Sequence, residues 1–207
     1  MPDALLDQLH DRKGLQIHSG LIGDGVARLA SSGALAGPGS VIAGTAIGSE
    51  PLYDAIVQDF FEFQPVSITH DVRRIGQRDR FIAINSALSV DLFGQAYAEV
   101  TPSGAMSGPG GAIEFAQAAQ LSRGGLSVVA LQSTAKGGRV SRIVAPSGAA
   151  GPVSLSRLMI DLIVTEHGVA DFRGATHTER AEQLIAIAAP QFRSELALEW
   201  SDIERSI

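Results

Sequence analysis

A chain of 207 residues, 45% of them hydrophobic, carries a formal net charge of −6 and no cysteine. That length can bury one substantial core, so one domain is expected over residues 1–207. The acidic balance, without a long run of Lys or Arg, excludes a general nucleic-acid binder. The lack of cysteine excludes disulfides, thiolate nucleophiles and cysteine-ligated metals; it fits a reducing compartment, and the cytoplasm is the expected location. Met1 to Gly14 is polar and charged, and no apolar stretch approaches the roughly 20 residues that span a bilayer, so no membrane association is expected.

In chain order, apolar runs predict strands over Leu15–His18, Val41–Ile47, Phe61–Val66, Phe81–Val90, Gln95–Val100, Leu126–Leu131, Arg142–Pro146 and Leu162–Glu166. Helical spacing falls between them at Pro2–Leu9, Asp24–Ser31, Leu52–Asp59, Ala112–Leu121 and Thr178–Ala189, the last starting at Thr178 or His177 with Glu179 and Glu182 in its first turns. Alternation of the two predicts an α/β fold with flanking helices. Several strands are too uniformly apolar for a sheet wetted on one face, which favours a mostly parallel one. The pair Phe81–Val90 and Gln95–Val100, joined by Asp91–Gly94, reads as a hairpin, so the sheet is expected to be mixed. The 23 glycines are dispersed in short clusters, as turns joining strands to helices require.

Three segments carry chemistry. In Ser107 to Gly125, "SGPGGAIEFAQAAQLSRGG", a glycine loop opens a helix near Ala112. Gly108, Gly110 and Gly111 leave room for close approach, and the helix amino terminus offers amides to a phosphate or a developing oxyanion. A tight connection is the plainer reading of the same glycines. The loop is neither a Walker loop, since no Gly-Lys-Ser/Thr follows, nor the dinucleotide fingerprint. In "STAKGGRVSRIVAP", Ser133 to Pro146, Lys136 stands beside Gly137 and Gly138, with Arg139 and Arg142 near. These cations suit the diphosphate and ribose phosphate of coenzyme A, or form a solvated turn. In "DLIVTEHGVADFRG", Asp161 to Gly174, an apolar strand ends in Glu166 and His167, where α/β sheets usually bind ligands. Glu166 can serve as a base, can orient a carboxylate or water, or is merely solvated. The histidines, His10, His18, His70, His167 and His177, show no metal spacing, so no metal site is expected. No G-x-S-x-G elbow occurs.

Taken in order, "IHSGLIGDGVARL", "INSALSVDLFGQAYAE", "SGPGGAIEFAQAAQLSRGG", "STAKGGRVSRIV", "DLIVTEHGVADFRG" and "RAEQLIAIAAPQFR" resemble the carboxy-terminal half of the acetyl-CoA hydrolase/CoA-transferase family. The resemblance covers essentially the whole chain. It implies a NagB/RpiA/CoA-transferase-like fold, a two-half protein with its active site between the halves, and a homo-oligomer, usually a homodimer. It implies no permanently bound cofactor: coenzyme A or acyl-CoA is substrate, beside a small carboxylate.

Family enzymes attack the acyl-CoA with a glutamate, forming an anhydride and then an enzyme-CoA thioester. The family segment "IHTEMFSDG" falls on Ile17 to Gly25 and puts Gly20 in the glutamate position. The "TND"-like segment falls on Thr69, His70 and Asp71, so His70 replaces an oxyanion-holding asparagine. Gly111 matches the retained backbone donor, Glu166 the active-site glutamate of "VTE", and Thr134 to Gly138 the CoA-lining "TAKGG". The amino-terminal half of the family has no counterpart here: either the gene is a fragment, or a separate chain carries that half. Two readings follow. One is an acyl-CoA-processing half-protein, without the covalent nucleophile but with His70, Glu166 and Gly111 available to activate and stabilise a direct attack by water. The other is a non-catalytic CoA-binding or assembly module.

Overall fold

The computed structural model describes residues 5–101 and 104–206. The chain divides after Ile75 into two compact units. Each is considered by itself.

The first unit is built on three parallel strands in the order β1 (Ile17–Ile22), β2 (Val41–Ala46) and β3 (Phe61–Phe63). Parallel neighbours need crossovers rather than tight turns, and α1 (Asp24–Ser31) and α2 (Glu50–Ala55) provide them. Helix α1 follows the sequence expectation: Val26, Leu29 and Ala30 recur at helical spacing and are buried with Val41 and Leu52 in one core. Helix α2 begins two residues before the expected Leu52, because Pro51 fits the first turn, where an amide would have no partner. It also ends at Ala55, short of Asp59. The expected strand to Val66 stops at Phe63, since Pro65 has no N–H for the ladder; it opens the short helix α3 (Val66–Thr69) instead. Of the helix expected over Pro2–Leu9, residues 2–4 lie outside the described residues, and Asp7–Leu9 forms a 3₁₀ turn.

In the second unit, β4 (Ile82–Ser86) lies beside β7 (Leu126–Ala130), reached through helix α4 (Ala112–Leu121). Between β4 and α4 come β5 (Ser89–Asp91) and β6 (Ala96–Tyr97). After β7 follow β8 (Thr134–Ala135), β9 (Val140–Ser141), β10 (Ile143–Val144), β11 (Leu162–Thr165) and β12 (Gly168–Asp171). The main sheet runs β12-β11-β7-β4; its last three strands are parallel and β12 is an antiparallel edge. A smaller sheet, β10-β5-β6, is also mixed. An α/β architecture with mostly parallel sheets and flanking helices is therefore observed.

The expected hairpin exists, but only between β5 and β6. The run Phe81–Val90 is not one strand, because the chain leaves the main sheet after Ser86 and enters the smaller one at Ser89. Ala87 and Val90 are both buried, so apolar residues resume directly after Asn85 and Ser86 and conceal the change of sheet. The last expected helix becomes α5 (His177–Ile187), starting at His177, one of the two expected starts, behind a capping box between Thr176 and Glu179. A further helix, α6 (Arg193–Glu204), buries only Leu196 and Trp200, too sparse a stripe to be read from periodicity. Trp200 meets Phe93 edge to face, with centroids 5.6 Å apart, in a core that includes Val90, Ile143, Ile163, Phe172 and Leu184.

The β5–β6 turn is organised by Asp91, which is fully buried. Its carboxylate accepts from the amides of Phe93 and Gln95, each at 3.0 Å, from the Gln95 side chain, and from the Tyr97 hydroxyl at 2.8 Å. Burial first, and then the Asp91 carboxylate, push the Tyr97 phenol up to about 12. A folded-state value above the unfolded one near 10 means that this contribution to stability is complete below that pH and is lost as pH rises through about 12. Phenolate absorbance is expected to show a late step that disappears in Tyr97→Phe; a Tyr97 step in the ordinary phenol range would mean that the hydroxyl does not face Asp91.

Candidate functional site

In the first unit, the relevant residues lie where the end of α3 packs against β1. Side chains alternate along a strand, so His18 and Gly20 share one face of β1. His70 is the residue that closes α3, its amide donating to the Val66 carbonyl. Thr69 is fully buried. Its carbonyl accepts from His18 Nε2 at 2.9 Å, which fixes the proton of His18 on that nitrogen, and its hydroxyl lies 2.9 Å from His70 Nδ1.

The imidazole of His70 thereby rests over Gly20. A Cβ built at position 20 would lie 2.7 Å from His70 Cε1 and 3.0 Å from Nε2, closer than packed atoms approach. Gly44, on β2, completes the fit: a Cβ there would meet the Gly20 carbonyl oxygen at 2.7 Å and the Thr69 hydroxyl at 3.5 Å. Two glycines on paired strands thus form a notch into which Thr69 and His70 descend. Neither Gly44 nor His18 stands out in the sequence as part of a site, because the notch depends on strand pairing that no local spacing reveals.

In the second unit, β4, β7 and β11 run parallel and end at the same side, at Ser86, Ala130 and Thr165. Glu166 directly follows β11, and Ser133 follows β7. Glu166 takes the Ser133 amide on Oε2 at 2.8 Å and the Ser133 hydroxyl on Oε1 at 2.6 Å. Burial pushes the Glu166 carboxyl up, but the Ser133 hydroxyl and amide, its own amide and the neighbouring His167 outweigh it and hold the group below the ordinary carboxylate range. With both oxygens engaged, Glu166 anchors the start of the loop that carries Lys136. Its partner Ser133 was marked in the sequence only as the first residue of that segment.

The Lys136 turn joins β8 to β9, an antiparallel pair. Lys136 itself has φ +50°, followed by Gly137 at +67° and Gly138 at +86°. Glycine tolerates that region, whereas lysine there costs about 1–2 kcal/mol. Arg139 Nε donates to the Lys136 carbonyl and Gln191 Nε2 to the Gly138 carbonyl, so the turn is held from two sides. Nothing lies within 4 Å of a Cβ built at Gly137 or Gly138, nor at Gly108 or Gly110 in the other glycine loop. Gly110 has φ +56°, and Gly111 is the N-cap of α4, with the Ala112 amide turning back to the Pro109 carbonyl. The carboxylate of Glu114, in the first turn of α4, buries Oε2 without a hydrogen bond among the described residues. Among the described residues, no three acidic or histidine side chains gather as metal ligands, and no helix is long and apolar enough to cross a membrane.

Residues 48–200 match the family model for the acetyl-CoA hydrolase/transferase C-terminal domain. The chain is 37% identical to the 4-hydroxybutyrate coenzyme A transferase of Clostridium kluyveri, in an alignment covering 97% of this chain and 48% of the relative. It is also 37% identical to the butyryl-CoA:acetate CoA-transferase of Anaerostipes caccae, covering 95% of this chain and 47% of that protein. Among solved structures, RipA from Yersinia pestis superposes with a TM-score of 0.90 at 31% identity over 98% of this chain and 47% of RipA. A 4-hydroxybutyrate CoA-transferase from Porphyromonas gingivalis does so with a TM-score of 0.81 at 36% identity, covering the whole of this chain and 49% of that one. The chain spans about half the length of the relatives it matches.

Proposed function

Since the chain belongs to the acetyl-CoA hydrolase/transferase C-terminal domain family, we propose that it binds the CoA moiety of an acyl-CoA thioester through the Lys136–Gly138 turn and the Gly108–Gly111 loop. A small carboxylate is the second substrate of the ancestral reaction, and the amino-terminal half that the relatives carry is the partner, in the same chain or in another. The reading is carried by one observation: Lys136 is kept in a left-handed conformation that glycine would occupy without strain, on a turn pinned by Ser133–Glu166, Arg139 and Gln191. Backbone strain retained at a charged side chain points to a use for the charge. An ammonium fixed on an open glycine turn suits a diphosphate. Glu166 then acts through the loop it orders, a positioning role.

Covalent transfer through position 20 is proposed to be lost, because a glycine cannot carry an acyl group or CoA. A non-catalytic CoA-binding module is the alternative, favoured by the paired change at Gly20 and His70.

Isothermal calorimetry with acetyl-CoA is expected to show saturable, weak binding. A hydrogen bond to a charged group contributes about 1.5–3 kcal/mol, so Lys136→Ala should weaken binding about tenfold or more. Lys136→Gly separates affinity from folding: it should weaken binding equally while relieving the strained backbone and raising the urea midpoint. Affinity unchanged in both Lys136→Ala and Gly110→Val would remove both loops from the site.

A further inference from the structure

In the second unit, helices cover one face of the main sheet. Helix α4 packs on β4 and β7, and α5 on β11 and β12. The row that meets them, Val129, Ile163 and Ala170 on paired strands, is buried in one core with Ala116 of α4 and Leu184 of α5. Side chains one residue along each strand point to the opposite face. There the paired rows are apolar as well: Ile84, Val128 and Leu162 across β4, β7 and β11, and Ala130, Val164 and Val169 across β7, β11 and β12. On this face Ile84 is 41% exposed, Ile82 beside it 52%, and Val169 57%. A single exposed apolar side chain is ordinary, but parallel strands that are apolar on both faces are normally covered on both. Here the apolar lattice is continuous from one edge strand to the other, and its edges stand open, as at a surface built for contact.

We infer that this open face of the β12-β11-β7-β4 sheet seats the amino-terminal half that the relatives carry, in the same chain or in another. The inference deepens the partner reading above and rests on it. The relatives hold this fold within chains about twice as long. A body of about this chain's own size therefore accompanies the sheet in them, and an apolar layer laid on the open face gives the parallel strands their second cover. Val128, at the centre, is already buried between its row neighbours. The partner's contribution falls instead on the edge strands, at Ile82 and Ile84 of β4 and at Val169 of β12. These positions are where an introduced charge does most harm, because an ammonium there would be taken out of water without a partner.

The experiment co-expresses the tagged full chain with the amino-terminal half of the Clostridium kluyveri 4-hydroxybutyrate coenzyme A transferase and measures the mass of the purified material by light scattering. A one-to-one complex is expected. Ile84→Lys and Val169→Lys should each lower recovery of that half about tenfold or more, with a native circular dichroism spectrum and unchanged acetyl-CoA affinity. Leu198→Lys, at an exposed apolar position on α6, should leave recovery as it was. The chain has no cysteine, so Ile84→Cys supplies a single thiol without introducing a charge. Its alkylation by a maleimide should be about tenfold or more slower in the complex than in the chain alone, since thiol reactivity follows exposure. Recovery unaffected by both lysine substitutions, or a thiol alkylated equally fast in the complex, overturns the inference and leaves the partner reading intact. A dimer of the chain alone that Ile84→Lys dissolves assigns the face to a second copy and overturns the inference as well. No co-purification with the unaltered chain removes the partner reading and, with it, the inference.

Discussion

Incubated with an acyl-CoA and an acceptor acid, the chain is expected to form no enzyme–CoA thioester and to show no ping-pong transfer. Mass spectrometry after borohydride or hydroxylamine treatment should return the unmodified mass, because the covalent route needs a carboxylate where Gly20 offers only backbone. An adduct on Glu114, Glu166 or another carboxylate would mean that the nucleophile has moved. Placing a glutamate at position 20 has a steric cost. The backbone at Gly20 lies outside the left-handed region, so a side chain is not strained there by φ; what opposes it is the His70 ring, 2.7 Å from the new Cβ. Overpacking of this kind costs about 1–3 kcal/mol. Gly20→Glu should therefore lower the urea midpoint, and Gly20→Glu combined with His70→Asn should recover much of the loss, giving a coupling of about 0.5–3 kcal/mol. Additive effects in that cycle would mean that residues 20 and 70 do not share the space.

Asp91→Ala is expected to be among the most damaging single substitutions in the second unit. The carboxylate is fully buried and takes hydrogen bonds from the Phe93 and Gln95 amides, the Gln95 side chain and the Tyr97 hydroxyl. At about 1–3 kcal/mol for each buried donor left unsatisfied, the total loss is about 3–5 kcal/mol once part of the turn rehydrates. That is a large share of the roughly 5–15 kcal/mol that holds a typical domain folded. Asp91→Asn should cost less, since it keeps an acceptor for the amides but turns a donor toward one of the existing donors. Urea unfolding followed by tryptophan fluorescence measures both, because Trp200 packs against Phe93 in the same turn. A loss under about 1 kcal/mol for Asp91→Ala would show that the turn is held by the apolar core alone.

The sequence by itself determined the fold class, the helices Asp24–Ser31 and Ala112–Leu121, and the family. These depend on patterns within a dozen residues or on motifs in linear order: apolar spacing of 3.6 marks a helix wherever its partner lies, and a glycine loop before a helix is legible as text. Tertiary structure alone decided which strands pair. Phe81–Val90 reads as one strand in the sequence yet serves two sheets, because apolar residues continue on both sides of Asn85 and Ser86 and say nothing about which neighbour they meet. The same limit applied to the candidate site. Glu166 meets Ser133, 33 residues away, because β7 and β11 are parallel neighbours whose ends coincide. The empty position at Gly20 proved to be filled by His70 because a glycine at position 44 on the adjoining strand lets the end of α3 sink toward the sheet. Residue identity at each position was in the sequence from the start; close approach between distant backbones is a property of packing, and no local pattern encodes it.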